Sequence, residues 1–208
     1  MWNENRKNAA AAGVRTRVES PLVGAQGLLD ASQASQSKLF RLRERPFLEL
    51  VNVRGDASDP GFVAAVQDVV GARLPTKPNT VAQGPAYDVL WLGPDEWLVR
   101  SNEARTPELE GKLRTAFGTL FASAVDVGSG YTVVEIRGER VRDVLARGCP
   151  LDLHPRVLKP GQCVQSHYFK ASIVLVPTAA DCFEIVVRRS FADYFCRIML
   201  DAAAPLAS

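Results

Sequence analysis

Apolar and polar positions follow two rhythms along this chain, and the rhythms alternate in a fixed order. Phe47 to Arg54 (FLELVNVR) alternates apolar and polar residues, the period of a half-buried strand. Asp59 before Pro60 supplies a cap and a first-turn proline, and Phe62, Val63, Val66, Val69 and Val70 then recur at helical spacing up to Gly71. Two apolar runs, 88–92 and 96–100, flank Gly93-Pro94-Asp95 and predict a hairpin. Thr106-Pro107-Glu108 opens a second helix in the same cap-plus-proline style. Its stripe is Leu109, Leu113, Ala116, Phe117, Leu120 and Phe121.

The same order then recurs. Tyr131 to Arg137 (YTVVEIR) is a strand, and residues 139–147 form a short helix stopped by Gly148. Residues 162–169, 171–176 and 182–188 read as strands. A last helix begins at Ser190, with Asp193 completing a capping-box variant. Val51-Asn52-Val53-Arg54-Gly55-Asp56 matches Val134-Glu135-Ile136-Arg137-Gly138-Glu139 position by position. Each half is a β-α-β-β-α unit that cannot bury both faces of its sheet alone. The sequence therefore predicts an α+β fold of two pseudo-repeated units packed as one domain, residues 45–208. Residues 1–44 are polar and rich in Ala, Ser and Gln. They read as an arm, partly disordered or bound to a partner, with Ser20-Pro21-Leu22-Val23 as an anchor point.

Composition narrows the function classes. Of 208 residues, 25 are Lys or Arg and 23 are Asp or Glu, a net charge of +2 without a basic block. Nucleic-acid binding driven by phosphate contacts is therefore not expected. No apolar run approaches the ~20 residues that span a bilayer, and Ala9 to Ala12 is too short for an export signal, so the expected compartment is the cytoplasm.

Candidate chemistry is sparse. Cys149, Cys163, Cys182 and Cys196 are widely spaced and contain no C-x-x-C pair, so neither a zinc site nor a disulfide is expected. His154 and His167 are the two histidines. A Cys149–His154 dyad would need a cationic environment for the thiol, and nearby residues supply none. Cys163 with His167 lacks a third metal ligand. Gly128-Ser129-Gly130 precedes a strand and not a helix, so it reads as a bend and not a phosphate cradle. Trp91 and Trp97 are expected in the core. Arg188 and Arg189, at a strand-to-helix junction, can clamp a carboxylate or pin a neighbouring chain. The expectation is no catalytic, cofactor-binding or metal-binding residue on this chain.

Four segments carry a resemblance: Val89 to Val99 (VLWLGPDEWLV), Asp126 to Val133 (DVGSGYTV), Gly148 to Pro155 (GCPLDLHP) and Val187 to Tyr194 (VRRSFADY). Together they resemble the gamma subunit of heterotetrameric sarcosine oxidase, over about residues 20–203. The resemblance implies a fold similar to the N-terminal part of the glycine-cleavage T-protein. It also implies a non-catalytic accessory chain, inactive alone, in a complex with alpha, beta and delta subunits. In that family the complex oxidises sarcosine or a related N-methyl amine and passes the one-carbon unit to tetrahydrofolate. FAD, FMN, NAD, tetrahydrofolate and zinc belong to the other subunits. A stand-alone folate-binding, aminomethyltransferase-like protein is the alternative. Residues expected at subunit contacts are Arg188, Arg189, Tyr168, Phe169 and His154. His167, Tyr168 and Phe169 stand where the family is expected to carry smaller and more basic residues.

Overall fold

The computed structural model describes residues 19–34 and 38–206. Ten strands form two antiparallel five-stranded sheets. In chain order the elements are α1 (Gln26–Ala34), β1 (Arg41–Arg45), β2 (Leu48–Arg54), α2 (Pro60–Val70), β3 (Val81–Gln83), β4 (Tyr87–Gly93), β5 (Glu96–Ala104) and α3 (Leu109–Phe117). They continue as β6 (Ser123–Asp126), β7 (Tyr131–Arg137), α4 (Val141–Ala146), β8 (Val164–Tyr168), β9 (Ala171–Ala179), β10 (Cys182–Arg188) and α5 (Ala192–Ala203).

One sheet runs β1-β7-β10-β9-β8 and the other β6-β2-β5-β4-β3. These orders correspond strand for strand under the internal repeat, with one exchange. β1 leads into β2 along the chain but pairs with β7, from Arg41↔Arg137 to Arg45↔Val133. β6 leads toward β7 but pairs with β2, from Val51↔Asp126 to Arg54↔Ser123. Each unit thus donates its first strand to the sheet of the other. The repeated unit is therefore β-β-α-β-β-β-α, two strands longer than the sequence pattern predicts.

The expected arm ends earlier than residue 44. Leu22, Ala25 and Leu29 are buried in the core beside Leu42, and β1 is a full sheet member. Ser20 Oγ also donates to the Glu44 carboxylate, so the anchor segment is tied down by a hydrogen bond as well as by Leu22. The remainder of the predicted arm, residues 1–18 and 35–37, lies outside the described residues.

Both faces of each sheet are covered. Val51, Val53, Val89, Trp97 and Val99 pack on α2 and α3. Val134, Ile136, Ile185 and Val187 pack beneath α4 and α5. Leu48, Leu50, Leu90 and Leu98 of one sheet meet Val133, Val176 and Val186 of the other, with Cys163, in a third cluster between the sheets. Strands buried on two faces read as near-continuous apolar runs, which is why YTVVEIR alternates so little.

Helix caps divide into local and distant ones. Asp59 Oδ1 accepts from Gly61 N at 2.8 Å and Phe62 N at 3.4 Å. Gly71 closes the same helix at φ 74°, donating its N–H to Gln67 O. The cap predicted at Thr106 is absent. α3 starts two residues later, and the buried Glu49 carboxylate of β2 accepts from Glu108 N at 2.6 Å and from Leu109 N. A carboxylate at a helix N-terminus is favourable both as an acceptor and against the helix dipole. The Ser190 capping box is also absent: α5 starts at Ala192, and Asp193 Oδ2 accepts from Arg197 Nε at 2.8 Å. Phe121 lies beyond the end of α3 and is fully exposed, so it does not belong to the buried stripe.

A row of charges lies between the sheets, deeply buried at Arg100 and Glu184 and reaching the surface at Arg43. Arg100 Nη2 meets Asp88 Oδ2 at 2.8 Å across β4 and β5. Glu184 of β10 pairs with Arg100 from the other sheet and with Arg45 of β1. Arg43 grips Glu135 with two hydrogen bonds, of 2.8 and 2.7 Å. Burial pulls the Arg100 guanidinium below its ordinary pKa, and Asp88 opposes that shift. Removing Glu184 takes away the carboxylate shared by Arg45 and Arg100. Glu184→Ala should therefore lower folding stability by about 3–5 kcal/mol, read from the midpoint of urea unfolding. A loss below about 1 kcal/mol would show that water already screens this row.

Candidate functional site

A cavity of about 900 Å³ opens where the chain crosses between the sheets. Phe47 and Leu48, on the β1–β2 crossover, form one wall. Gly128, Ser129 and Tyr131, on the β6–β7 crossover, form another, and Arg105 and Arg189 also line the space. Phe47 takes φ 60°, an uncommon conformation for a residue with a side chain. Asp126 Oδ1 accepts from Gly128 N at 2.8 Å and fixes the glycine turn, which is one 3-10 turn leading into a strand.

The cations at this cavity differ in their partners. Arg45 is held by Glu184 and by the Asn102 carbonyl. Arg105 stacks 4.8 Å from the centroid of the Tyr87 ring, and the Tyr87 hydroxyl donates to Glu49 Oε2 at 3.0 Å. Burial raises the Tyr87 phenol above its ordinary pKa. Arg189 is exposed and donates to the Glu19 carbonyl at 3.4 Å. Its neighbour Arg188 is also exposed and lies 5.4 Å over the Tyr131 ring, so the two arginines flank the β7 end of the cavity.

The other residues expected at contacts fall into two groups. Tyr168 is removed from the surface. Its ring is wholly buried, its hydroxyl donates to Val144 O at 3.0 Å, and burial pushes its pKa up to about 12. Phe169, at φ 47°, is half exposed and packs edge-on against Tyr168 at 5.1 Å. Its N–H donates to Gly148 O at 2.9 Å, and a β-carbon at Gly148 would lie 2.5 Å from its ring. The GCPLDLHP segment is thereby joined to the β8–β9 turn, a pairing that separation in sequence conceals. His154 is exposed, and its Nδ1 accepts from Arg156 N at 3.2 Å. The two prolines around it fence a surface turn.

The thiols are not arranged for catalysis. Cys149 is buried with Sγ 3.7 Å from Ser166 Oγ, while the contacts of His154 are made within its own turn. Cys163 Sγ faces the carbonyls of Thr80 and Trp91, and burial raises its pKa to about 11. Cys196 is raised by burial to about 12. Among the described residues no three His, Cys, Asp or Glu side chains converge as metal ligands, and no helix is long and apolar enough to cross a membrane. Trp97 is in the core, donating Nε1 to Pro75 O at 2.8 Å, whereas Trp91 is half-buried beside it.

Similarity to known proteins decides the family. The model of the sarcosine oxidase, gamma subunit family matches residues 54–205. This chain belongs to that family. The sarcosine oxidase subunit gamma of Corynebacterium sp. strain P-1 is 33% identical over 180 residues, covering 85% of this chain and 86% of the relative. That of an Arthrobacter species is 31% identical over 180 residues, with the same coverage. In structure, the chain is similar to one in the heterotetrameric sarcosine oxidase of Corynebacterium sp. U-96, solved with pyrrole 2-carboxylate. That match has a TM-score of 0.82 at 27% identity and covers 92% of this gamma-family chain and 97% of the other. The glycine cleavage aminomethyltransferase T of Bartonella henselae gives 0.59 at 12% identity, over 83% of this chain and 48% of that one. It shares the fold, as the two-unit α+β reading implies.

Burial of these groups sets a pH dependence. A thiol with an ordinary value of 9.0 that is held at about 11 or about 12 keeps its proton in the fold after the unfolded chain has lost it. The raised groups therefore favour the folded gamma chain below pH 9, and that contribution is lost as pH rises through 11 and 12. Iodoacetamide at pH 8 should label half-buried Cys182 before Cys163 and Cys196, as read by peptide mass spectrometry. Equal labelling of all three in the folded protein would contradict this burial.

Proposed function

We propose that this chain is the non-catalytic gamma subunit of a flavin-dependent heterotetrameric sarcosine oxidase-type complex. The complex oxidatively demethylates sarcosine or a related N-methyl amine and passes the one-carbon unit to tetrahydrofolate. This chain is inactive alone and works in the cytoplasm beside alpha, beta and delta subunits. FAD, FMN, NAD, tetrahydrofolate and zinc are bound by those subunits. The reading rests on one observation above others: the likeness to a chain of the heterotetrameric enzyme covers nearly the whole of both chains. The residue chemistry agrees with it. Burial raises the Cys163 and Cys196 thiols, which disfavours either of those two as a nucleophile. The alternative, a stand-alone folate-binding aminomethyltransferase-like protein, is weaker because the family model and the relatives are sarcosine oxidase gamma subunits, while the likeness to the aminomethyltransferase is one of fold.

Arg188, Arg189, Phe169 and His154 are proposed to meet the other subunits. All four stand at the surface, and the arginines carry planar donors suited to partner carboxylates. Tyr168 serves this surface from behind, by bracing Phe169.

Co-expression with the neighbouring genes, followed by tagged pull-down and an absorbance scan, tests the proposal. A yellow complex of four different chains is expected. A colourless chain recovered alone would overturn it. Arg188→Ala and Arg189→Ala should each weaken assembly by about 2 kcal/mol, roughly thirtyfold, while leaving the melting temperature of the chain nearly unchanged. Unchanged subunit recovery would remove the arginines from the interface.

A further inference from the structure

The turn between β8 and β9 breaks a local rule. β8 ends at Tyr168 and β9 begins at Ala171, and these two residues pair, so Phe169 and Lys170 make a two-residue hairpin turn. Such turns need a positive φ at their first central residue, and glycine or asparagine is the usual occupant. Phe169 takes that position at φ 47°, where a bulky side chain is an outlier. Core packing does not account for the choice, because the residue remains 45% exposed.

The ring is held from behind and has cations beside it. Tyr168 meets it edge-on, and the missing β-carbon of Gly148 leaves room for it. The bond from Phe169 N to Gly148 O sets the two segments side by side. Arg147 and Lys170, the chain neighbours of the bonded residues, therefore leave the backbone next to the ring. Burial raises the Tyr168 phenol and the Arg147 charge opposes that rise, which places this guanidinium near the aromatic pair. Arg147 and Lys170 are both exposed, and among the described residues neither side chain has a hydrogen bond or an ion pair. The acids closest to Arg147 along the chain are already engaged. Asp143 is held by Arg140, and Asp152 Oδ1 accepts from His154 N at 2.9 Å.

We propose that this turn, with Arg147 and Lys170 beside Phe169, is the docking point for an acidic segment of a different chain, which sets an apolar side chain on the ring and carboxylates on the two cations. The sign of the charge selects the occupant. A second copy of this chain docking by two-fold symmetry would set the patch against itself, cation facing cation. Two cations are also too few for binding driven by nucleic-acid phosphates. Carboxylates match both, and Arg147 offers a planar fork that holds one through two hydrogen bonds. An outlying backbone conformation that brings no burial in return points to a use outside the fold. This inference gives the proposed contact at Phe169 its partner chemistry and rests on that reading.

Carbodiimide coupling, which joins an amine to a carboxylate in contact with it, tests this on the co-expressed complex, read by peptide mass spectrometry. Lys170 should couple to an Asp or Glu of another subunit. Phe169→Asn removes the ring with a residue that accepts positive φ. It should reduce both the coupling and the recovery of partner subunits at least about tenfold. The melting temperature of the lone chain should stay within about 4 °C. A larger fall would give the ring a folding role and overturn the proposal. Lys170→Glu, at an exposed position, should reduce recovery in the same way, and Lys170→Arg should behave as wild type. If the complex forms without coupling at Lys170 and both disruptive variants assemble normally, the docking point is wrong while the complex reading stands. If the wild-type chain forms no complex, both fall. Coupling of Lys170 to another copy of this chain would identify the copy as the occupant and overturn the proposal.

Discussion

The exchange of first strands is the constraint on which the rest of this molecule depends. Because β1 completes the sheet of the second unit and β6 that of the first, neither unit has a finished sheet by itself. Each exchange requires the chain to cross from one sheet to the other within a few residues. Pro46 and Phe47 make one crossing, with the uncommon backbone at Phe47, and Val127 to Gly130 make the other. The cavity lies between the two crossings and is lined by both. It is thus a consequence of the topology: wherever two sheets trade strands, their ends separate and leave space.

The exchanged strand also brings its charges against buried carboxylates. β1 places Arg43 and Arg45 opposite Glu135 and Glu184, and Arg100 reaches the same Glu184 from the other sheet. Such a row contributes less to net stability than apolar residues of equal volume would, because each ion loses its hydration. It does penalise alternatives. A one-residue slip of β1 would turn its arginines toward the helix layer and Leu42 toward the charges, so the row and the core enforce the same register. Asp88 plays the matching part in the other sheet, where it keeps Arg100 compensated despite deep burial.

Features encoded by neighbouring residues were readable from sequence. The cap at Asp59, the stop at Gly71, the Gly93 hairpin and the repeated opening strands all depend on side chains close along the chain. β1 and β6 were not readable. Arg-Leu-Arg-Glu-Arg lacks the apolar content of a strand, and Arg43 and Arg45 meet their carboxylates on strands 92 and 139 residues further along the chain. The role of Glu49 is visible only in three dimensions, since its carboxylate caps a helix that begins at Leu109. The residues expected at contacts divide in the same way. The exposure of Arg188, Arg189 and His154 follows from polar turns and strand ends, whereas the burial of Tyr168 depends on its hydrogen bond to Val144 and its packing on Phe195.

Reactive chemistry in this chain is directed inward. Burial raises the Cys163 and Cys196 thiols, the buried carboxylates serve guanidinium groups or a helix terminus, and the Tyr87 phenol is engaged by Glu49. The surface is built differently. Arg188 and Arg189 lie at the end of a strand and Phe169 projects from a turn, none of them needed to close the core. A fold that commits its ionisable groups to internal order and leaves planar cations and an aromatic ring outside offers those groups for contact. The T-protein-like architecture fits that use: two sheets covered on both faces give a rigid body whose crossovers and edges can be shaped for partners without disturbing its interior.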